Sequence, residues 1–150
     1  MDDANVVRRM ADTVERRDAE AMAALYTQDA TVHHPLYPEP ARGRDAIRAS
    51  QRELFDAISD VEVHIRSILT GENICAAEVI IRATHTGAID LGGKGPIPAS
   101  GRRVEVHEVW AFDLDPNGLI IEERDYLDTA ALLAQLGADR SAHGAAGLSE

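Results

Sequence analysis

This chain of 150 residues carries 26 acidic and 15 basic side chains, a formal net charge of −11 at pH 7 and a pI near 4.9. The length suits one domain with its own core, and the negative charge argues against a nucleic-acid or anionic-membrane partner, because both need a basic face. Its one cysteine cannot form an internal disulfide. With no apolar run near the ~20 residues of a membrane span and no signal-peptide pattern in the first ten residues, the sequence predicts a cytoplasmic globular domain.

Helical periodicity dominates the first sixty residues. Val6, Met10 and Val14 recur at spacing four with charged residues between them, which predicts an amphipathic helix. Asp18 is a typical N-cap for a second, short helix. The strand that follows must end at Pro35, since proline has no N–H to donate to a sheet. The predicted elements are helices over residues 3–17, from 18 onward and over 44–58, with a strand over 30–34 and a proline-rich loop over 35–43.

From residue 60 the apolar period changes from about four to two, which predicts strands. A turn is expected at residues 115–118, where Asp-Pro-Asn-Gly suits turn chemistry, and a long loop at 87–101, which holds five glycines and two prolines. Asp128 can cap a last short helix that Gly137 ends. The predicted elements are strands from residue 60 and over 74–86, 102–114 and 119–127, then a helix over 130–136 and a disordered tail over 138–150.

This order of elements predicts an α+β fold. Helices collect on one side of a strongly curved antiparallel sheet, and the resulting cone encloses a pocket that suits a small apolar or polycyclic ligand. Residues 1–137 would form this single domain. Ile80 and Val109 are apolar on the opposite face of the sheet, and an exposed apolar face usually marks an interface, so we expect a homodimer.

Several segments resemble a known superfamily. DATVHHP at residues 29–35, followed by EPARGRDAIR at 39–48, is similar to the strand, loop and helix of the nuclear transport factor two-like superfamily, which includes ketosteroid isomerases, limonene epoxide hydrolases and polyketide cyclases. Within it, the second half resembles the SnoaL-like polyketide (ester) cyclases, and the resemblance covers about residues 5–137. The segments that carry it are PIPASGR at 96–102, VWAF at 109–112, GLIIEERD at 118–125 and DTAALLAQLG at 128–137.

Two carboxyl groups fall on strand faces that are otherwise largely apolar. Glu108 is the one polar residue among the six alternate positions of 104–114, and Asp125 has the same inward parity on the last strand. Each could pair with an arginine such as Arg82 or Arg124, or lie in the pocket, where burial raises the pKa of a carboxyl group. The resemblance implies the pocket: ketosteroid isomerases place an oxyanion-hole acid at the position of Glu108, and SnoaL-like cyclases place a general acid/base at that of Asp125.

Two adjacent histidines close the first strand. Neighbouring strand residues point to opposite faces, so only one of His33 and His34 can enter the pocket. His34 stands where ketosteroid isomerases carry a catalytic aspartate; it could be a base that titrates near neutrality or a hydrogen-bonded core residue. Adjacent strand histidines do not chelate one metal ion, so no metal site is predicted. The expected substrate contacts are Trp110, His33, His85, Met10, Phe55 and Tyr37.

The resemblance implies an enzyme that needs no cofactor and acts on a polyketide-like or polycyclic carbonyl compound. Asp125 would abstract a proton α to a carbonyl, Glu108 and His34 would assist, and an intramolecular aldol reaction would close a ring. A ketosteroid isomerase is disfavoured, because Met10 stands at the position of that family's tyrosine. An epoxide hydrolase is disfavoured, because Thr84 stands where a second acid is expected. The alternative from another class is a non-catalytic domain that holds a small ligand in the same cone.

Overall fold

The computed structural model describes residues 3–91 and 95–138. The predicted order of helices and strands is confirmed, with boundaries shifted by a few residues and one short strand added. The helices are α1 (Ala4–Arg16), α2 (Ala19–Ala23), α3 (Arg44–Asp56) and α4 (Thr129–Leu136). The strands are β1 (Tyr26–His33), β2 (Ala41–Arg42), β3 (Ile58–Gly71), β4 (Ile74–His85), β5 (Arg103–Leu114) and β6 (Ile120–Leu127). Nearly all of the predicted disordered tail, residues 139–150, lies outside the described residues.

The six strands form one sheet in the order β2-β1-β6-β5-β4-β3. Strands β3 to β6 are antiparallel neighbours, as predicted. However, β1 pairs with β6 in parallel, so the expectation of a wholly antiparallel sheet is wrong at this one junction. The chain leaves β1, passes through α3 and three long strands, and returns beside it, and such a long connection permits a parallel pair. The α+β class with helices on a curved sheet is confirmed, and the sheet is mixed.

The helices cover the inner face of the sheet. The apolar stripe of α1 is buried, with Val7 and Met10 at 0% and 1% exposure, and it packs against β3 and β4. Gly43 is the N-cap residue of helix α3, and its φ of +89° is a conformation that glycine adopts at little cost. A second, smaller apolar cluster, formed by Ala83, Val104 and Leu136, lies where α4 meets β5. None of the helices in residues 3–91 and 95–138 is long and apolar enough to cross a membrane.

Candidate active site

An apolar cavity of about 220 Å³ lies between the inner face of the sheet and the helices. Strands β4 and β5 supply aliphatic side chains to it, and α3 and α4 close it with Ile47, Leu54, Leu132 and Leu136. Most of this lining is apolar. Its polar or ionisable residues are His34, Tyr37, Glu39, Ser50, Gln51, His85, Glu108 and Asp125.

Three of these groups meet at one point of the cavity. One ring nitrogen of His34 and one carboxyl oxygen from each of Glu108 and Asp125 lie within 4.8 Å of one another. The strand registers explain the meeting. Trp110 pairs with Asp125 across β5 and β6, so Glu108, two residues from Trp110, is diagonal to Asp125 on the same face. His34 directly follows β1, on the other side of β6.

The Glu108 carboxyl group is fixed by a neighbour two residues along its own strand. The Trp110 indole N–H donates to Oε1 of Glu108 at 3.1 Å. Burial and the nearby charge of Glu123 raise the pKa of Glu108 from 4.5 to about 8, and the hydrogen bond from Trp110 opposes this rise. Glu108 therefore carries its proton at neutral pH, with Oε2 free of the indole.

The two arginines that could have paired with these carboxyl groups lie elsewhere. Arg82 donates to Glu105 at 2.7 Å, and Arg124 donates to Asp113 at 2.9 Å. Both pairs involve residues of the opposite strand parity, on the outer face of the sheet. The structure therefore does not pair Glu108 or Asp125 with either of these arginines.

A third carboxyl group, that of Glu123, lies behind Asp125 and was missed in the sequence. Glu123 is 4% exposed, and its Oε1 accepts a hydrogen bond from the buried Tyr26 hydroxyl group. Burial is the main cause that raises the pKa of Glu123 and of Asp125, and for Asp125 the charge of Glu123 adds to it. If Glu123 and Asp125 were both ionised, Oδ1 of Asp125 would be buried without a hydrogen-bond donor among the described residues. One shared proton turns their contact into a hydrogen bond, so Glu123 and Asp125 hold a proton more tightly than ordinary carboxyl groups do.

His34 meets the carboxyl groups as a neutral ring. The backbone N–H of Leu36 donates to its Nδ1 at 3.2 Å, so the proton of the neutral imidazole is on Nε2. Burial lowers the pKa of His34 from 6.5 to about 4, which suits a hydrogen-bond donor better than a base at neutral pH. A metal ligand needs a free ring lone pair; here Nδ1 is engaged and Nε2 carries the proton. The three groups therefore do not fit a metal ion in this arrangement.

The remaining predicted contacts divide into two groups. Tyr37 and His85 line the cavity. Four do not, which corrects the expectation that they face it. His33 is on the outer face, 3.8 Å from Glu122. Met10, Phe55 and Trp110 are buried in the core, packed between the helices and the sheet or, for Trp110, stacked on Phe112.

This arrangement of helices on a curved sheet around an apolar cavity with buried acids is the ketosteroid isomerase-like fold, in which related proteins have been solved. The model of the SnoaL-like polyketide cyclase family matches residues 4–136, and the chain belongs to that family. No curated protein matches the chain.

Solved structures share the fold at low sequence identity. TsrD from Streptomyces laurentii is 22% identical with a TM-score of 0.74, covering 90% of this chain and 94% of its own. A protein assigned as a SnoaL-like polyketide cyclase from Jannaschia sp. CCS1 is 21% identical with a TM-score of 0.77, covering 91% and 92%. SalBIII, an epoxide hydrolase/cyclase-like enzyme with a role in pyran ring formation in salinomycin, is 21% identical with a TM-score of 0.68, covering 86% and 92%. These likenesses concern the fold.

Proposed function

We propose that the protein is a cofactor-independent acid–base enzyme of the cyclase type, acting on a polyketide-like or polycyclic carbonyl compound. The observation that carries this proposal is the meeting of His34, Glu108 and Asp125 within 4.8 Å in a largely apolar cavity. Burying ionisable groups costs free energy, and a site that only held an apolar ligand would gain nothing from them. Carboxyl groups with raised pKa values are what proton transfer near neutral pH requires.

The proposed reaction begins with a proton transfer to Asp125. Its carboxylate takes a proton from the carbon α to a carbonyl group, and the electrons of the C–H bond move onto the carbonyl oxygen. The protonated Glu108 donates a hydrogen bond to that oxygen, and the N–H of His34 is placed to do the same. The enolate carbon then attacks a second carbonyl carbon of the same substrate. The new C–C bond closes the ring, and Asp125 returns its proton to the alkoxide.

In the active form Glu108 is protonated and Asp125 is ionised, with the proton of the Glu123–Asp125 contact on Glu123. Two carboxylates so close repel each other, so the first ionisation of the pair leaves one acid and one base side by side. The group that removes a proton and the group that holds the oxygen are then present together. General acid–base catalysis of this kind contributes ~10²–10⁴-fold to the rate, which suits substrates whose α-protons are already acidic.

Two other functions are distinguishable from this one. A non-catalytic domain would bind the same small apolar ligands in the cavity and transfer no proton. The SalBIII likeness and the adjacent acids favour a second enzymatic candidate, in which the protonated carboxyl group opens an epoxide. Such an enzyme would convert an epoxide ring and leave a simple ketone unchanged.

We also propose that the protein forms a homodimer through the outer face of the sheet. Val109 lies opposite Tyr126 in the register of β5 and β6, and Tyr126 is 57% exposed. Ile80, on β4, lies opposite His107 on the same outer face. These side chains form an apolar patch within a face that also carries ion pairs such as Arg82–Glu105 and Arg124–Asp113. Such a patch is commonly covered by a partner, and a second copy presents an identical face.

The proton-transfer step can be tested with 2-tetralone, a small bicyclic ketone with acidic α-protons. We expect the wild-type protein in D2O to accelerate the incorporation of deuterium at the α-carbon, followed by NMR. Asp125→Asn, which is nearly isosteric, should reduce this rate by about 10²-fold or more while the protein stays folded.

Asp128→Asn is the matched control for this experiment. Asp128 lies three residues further along and only caps α4, its Oδ1 accepting from Ala131 N–H at 3.0 Å, and asparagine caps helices about as well. The Asp128→Asn variant should catalyse deuterium incorporation into 2-tetralone at the wild-type rate. Binding of 2-tetralone without any accelerated exchange would exclude the acid–base mechanism and favour the ligand-binding function.

A further inference from the structure

His85 is a buried polar side chain that the acid–base mechanism does not use. It ends β4 with 1% exposure and lines the same cavity as Glu108 and Asp125. Its Nε2 is buried without a hydrogen-bond partner among the described residues. A buried N–H without an acceptor is unfavourable, and such groups in native proteins usually have a partner.

The other ring nitrogen shows which chemistry Nε2 offers. The backbone N–H of Ser100 donates to Nδ1 of His85 at 3.2 Å, and the Ser100 hydroxyl oxygen lies 3.0 Å from the same atom. That hydroxyl oxygen accepts from the N–H of Arg102 at 3.2 Å, so its own proton is free to point at Nδ1. Because Nδ1 accepts, the proton of the neutral ring is on Nε2. His85 therefore presents a hydrogen-bond donor and requires an acceptor.

This donor is well separated from the acid pair along the strands. The backbone N–H of His85 donates to the carbonyl of Arg102, and Glu108 lies six positions further along the chain, on β5. An extended strand rises about 3.3 Å per residue, so the backbones lie up to about 20 Å apart before curvature shortens the distance. Aliphatic side chains such as Ala83, Val104 and Val106 line the cavity between them. The sheet side of the cavity thus has a polar group at each end and aliphatic side chains between them.

We propose that the N–H at Nε2 of His85 binds a second oxygen of the substrate, at the end remote from the reacting carbonyl. The inference rests on the proposed function and narrows its substrate class to an elongated, largely apolar compound with an oxygen acceptor at each end. A keto or ester oxygen fits, because it accepts a hydrogen bond without bringing a charge into the apolar wall. The contact would orient the substrate, so that its α-carbon is presented to Asp125.

The test uses two pairs of compounds that differ only in one acceptor. The two-ring pair is 4-acetyl-4′-hydroxybiphenyl and 4-hydroxy-4′-isopropenylbiphenyl, and the one-ring pair is 4-acetylphenol and 4-isopropenylphenol. The isopropenyl group keeps the shape of the acetyl group and removes its oxygen. By calorimetry, we expect the wild-type protein to bind the acetyl compound of at least one pair roughly five- to tenfold more tightly, the scale of one neutral hydrogen bond.

Two variants locate the preference at His85. His85→Leu should abolish it, and His85→Gln, whose amide N–H can still donate, should retain part of it. Asp125→Asn should keep it, because the acceptor is bound at the other end. If the wild type bound both compounds of each pair with equal affinity, the proposal would be overturned with no variant needed. A preference for the acetyl compound that persists in His85→Leu would also overturn it.

The outcomes also separate this inference from the proposed function. Equal affinities combined with normal deuterium exchange of 2-tetralone would overturn the His85 anchor alone. Failure of the wild type to bind any of the four compounds would contradict both the anchor and a cavity that accepts carbonyl ligands.

Discussion

Glu108 gives the protein a pH dependence whose sign follows from the structure. Its pKa in the folded chain, about 8, exceeds its ordinary value of 4.5, so between these pH values the folded state binds more protons than the unfolded state. The free energy of unfolding therefore decreases as pH rises through this window. His34 acts oppositely between about pH 4 and 6.5, because its pKa is lowered. Above pH 6.5 the opposing effect of His34 is over, and the raised pKa values of Glu123 and Asp125 act in the same direction as that of Glu108. We therefore expect the wild-type melting temperature to fall between pH 6.5 and 8.

Glu108→Gln should reduce the slope of melting temperature against pH, measured by circular dichroism melts across pH 6.5–8. Glutamine keeps an oxygen that can accept from Trp110 and removes the titrating group. The matched control is Glu105→Gln, on the outer face of the same strand, where hydrogen bonds from His107 and Arg82 lower the pKa. This variant should keep the wild-type slope. Equal slopes for the wild type and Glu108→Gln would show that Glu108 titrates as an ordinary carboxyl group.

Tyr26 tests the carboxyl cluster behind the cavity. Tyr26→Phe removes the hydroxyl group that donates to Glu123 and leaves a buried carboxyl group short of a partner. The free energy of unfolding in urea should fall by about 1–3 kcal/mol. Tyr126→Phe, at a tyrosine that is 57% exposed in the single chain, keeps the ring that the proposed dimer face uses and should change it by less than about 0.5 kcal/mol. Equal effects of the two substitutions would mean that the hydrogen bond to Glu123 does not stabilise the fold.

Strand alternation predicted the orientation of the site residues but not their partners. Glu108, Asp125 and His85 face the cavity because they share parity with apolar neighbours in the sequence. Glu123 has the same parity as Asp125, and that signal was available. The hydrogen bond that joins Tyr26 to it was not, since it links two positions almost a hundred residues apart. Met10 and Phe55 were placed in the cavity because an inward-facing apolar residue looks the same in a sequence whether it lines a void or packs in a core.

Among the elements, α4 depends on its N-cap residue, Asp128. Asp128 accepts from the backbone N–H of Ala131, and the helix carries Leu132 and Leu136 to the cavity wall. Asp128→Ala should destabilise α4 by about 1 kcal/mol, seen as faster hydrogen exchange of its amides. Asp128→Asn should leave the exchange unchanged. Unchanged exchange in Asp128→Ala would mean that packing alone holds the helix.

The periods of the sequence predicted the elements well, and the sheet order less well. Apolar spacings of about four and of two residues predicted the boundaries of the helices and strands to within a few residues. Strand β2, with two residues, is too short to show a period. Alternation in β1 indicates which residues face the core, yet it carries no information on which strand lies beside it or in which direction. The parallel pairing of β1 with β6 is decided by the packing of the whole chain.

At the scale of the whole molecule, the proposed homodimer predicts twice the monomer mass by light scattering at micromolar concentration. Val109→Lys places a charge in the outer face, opposite Tyr126, and should shift the protein to a monomer. Ala46→Lys is the control, since Ala46 is exposed on α3, which lies on the other side of the sheet, and it should keep the dimer. A wild-type monomer would contradict the proposal directly.

The parallel contact between β1 and β6 also governs when the protein can become functional during synthesis. His34 and Asp125 are about 90 residues apart in sequence, and at ribosomal rates of about 5–20 residues per second the interval between them is roughly 5–20 s. Throughout it, the β6-facing edge of β1 lacks its final partner, and the buried stripe of α1 lacks its partners until β3 and β4 have been made. Such non-local pairing slows folding, so the nascent chain exposes apolar surface that chaperones recognise. Any fragment that stops before β6 lacks both Asp125 and the strand that completes the sheet.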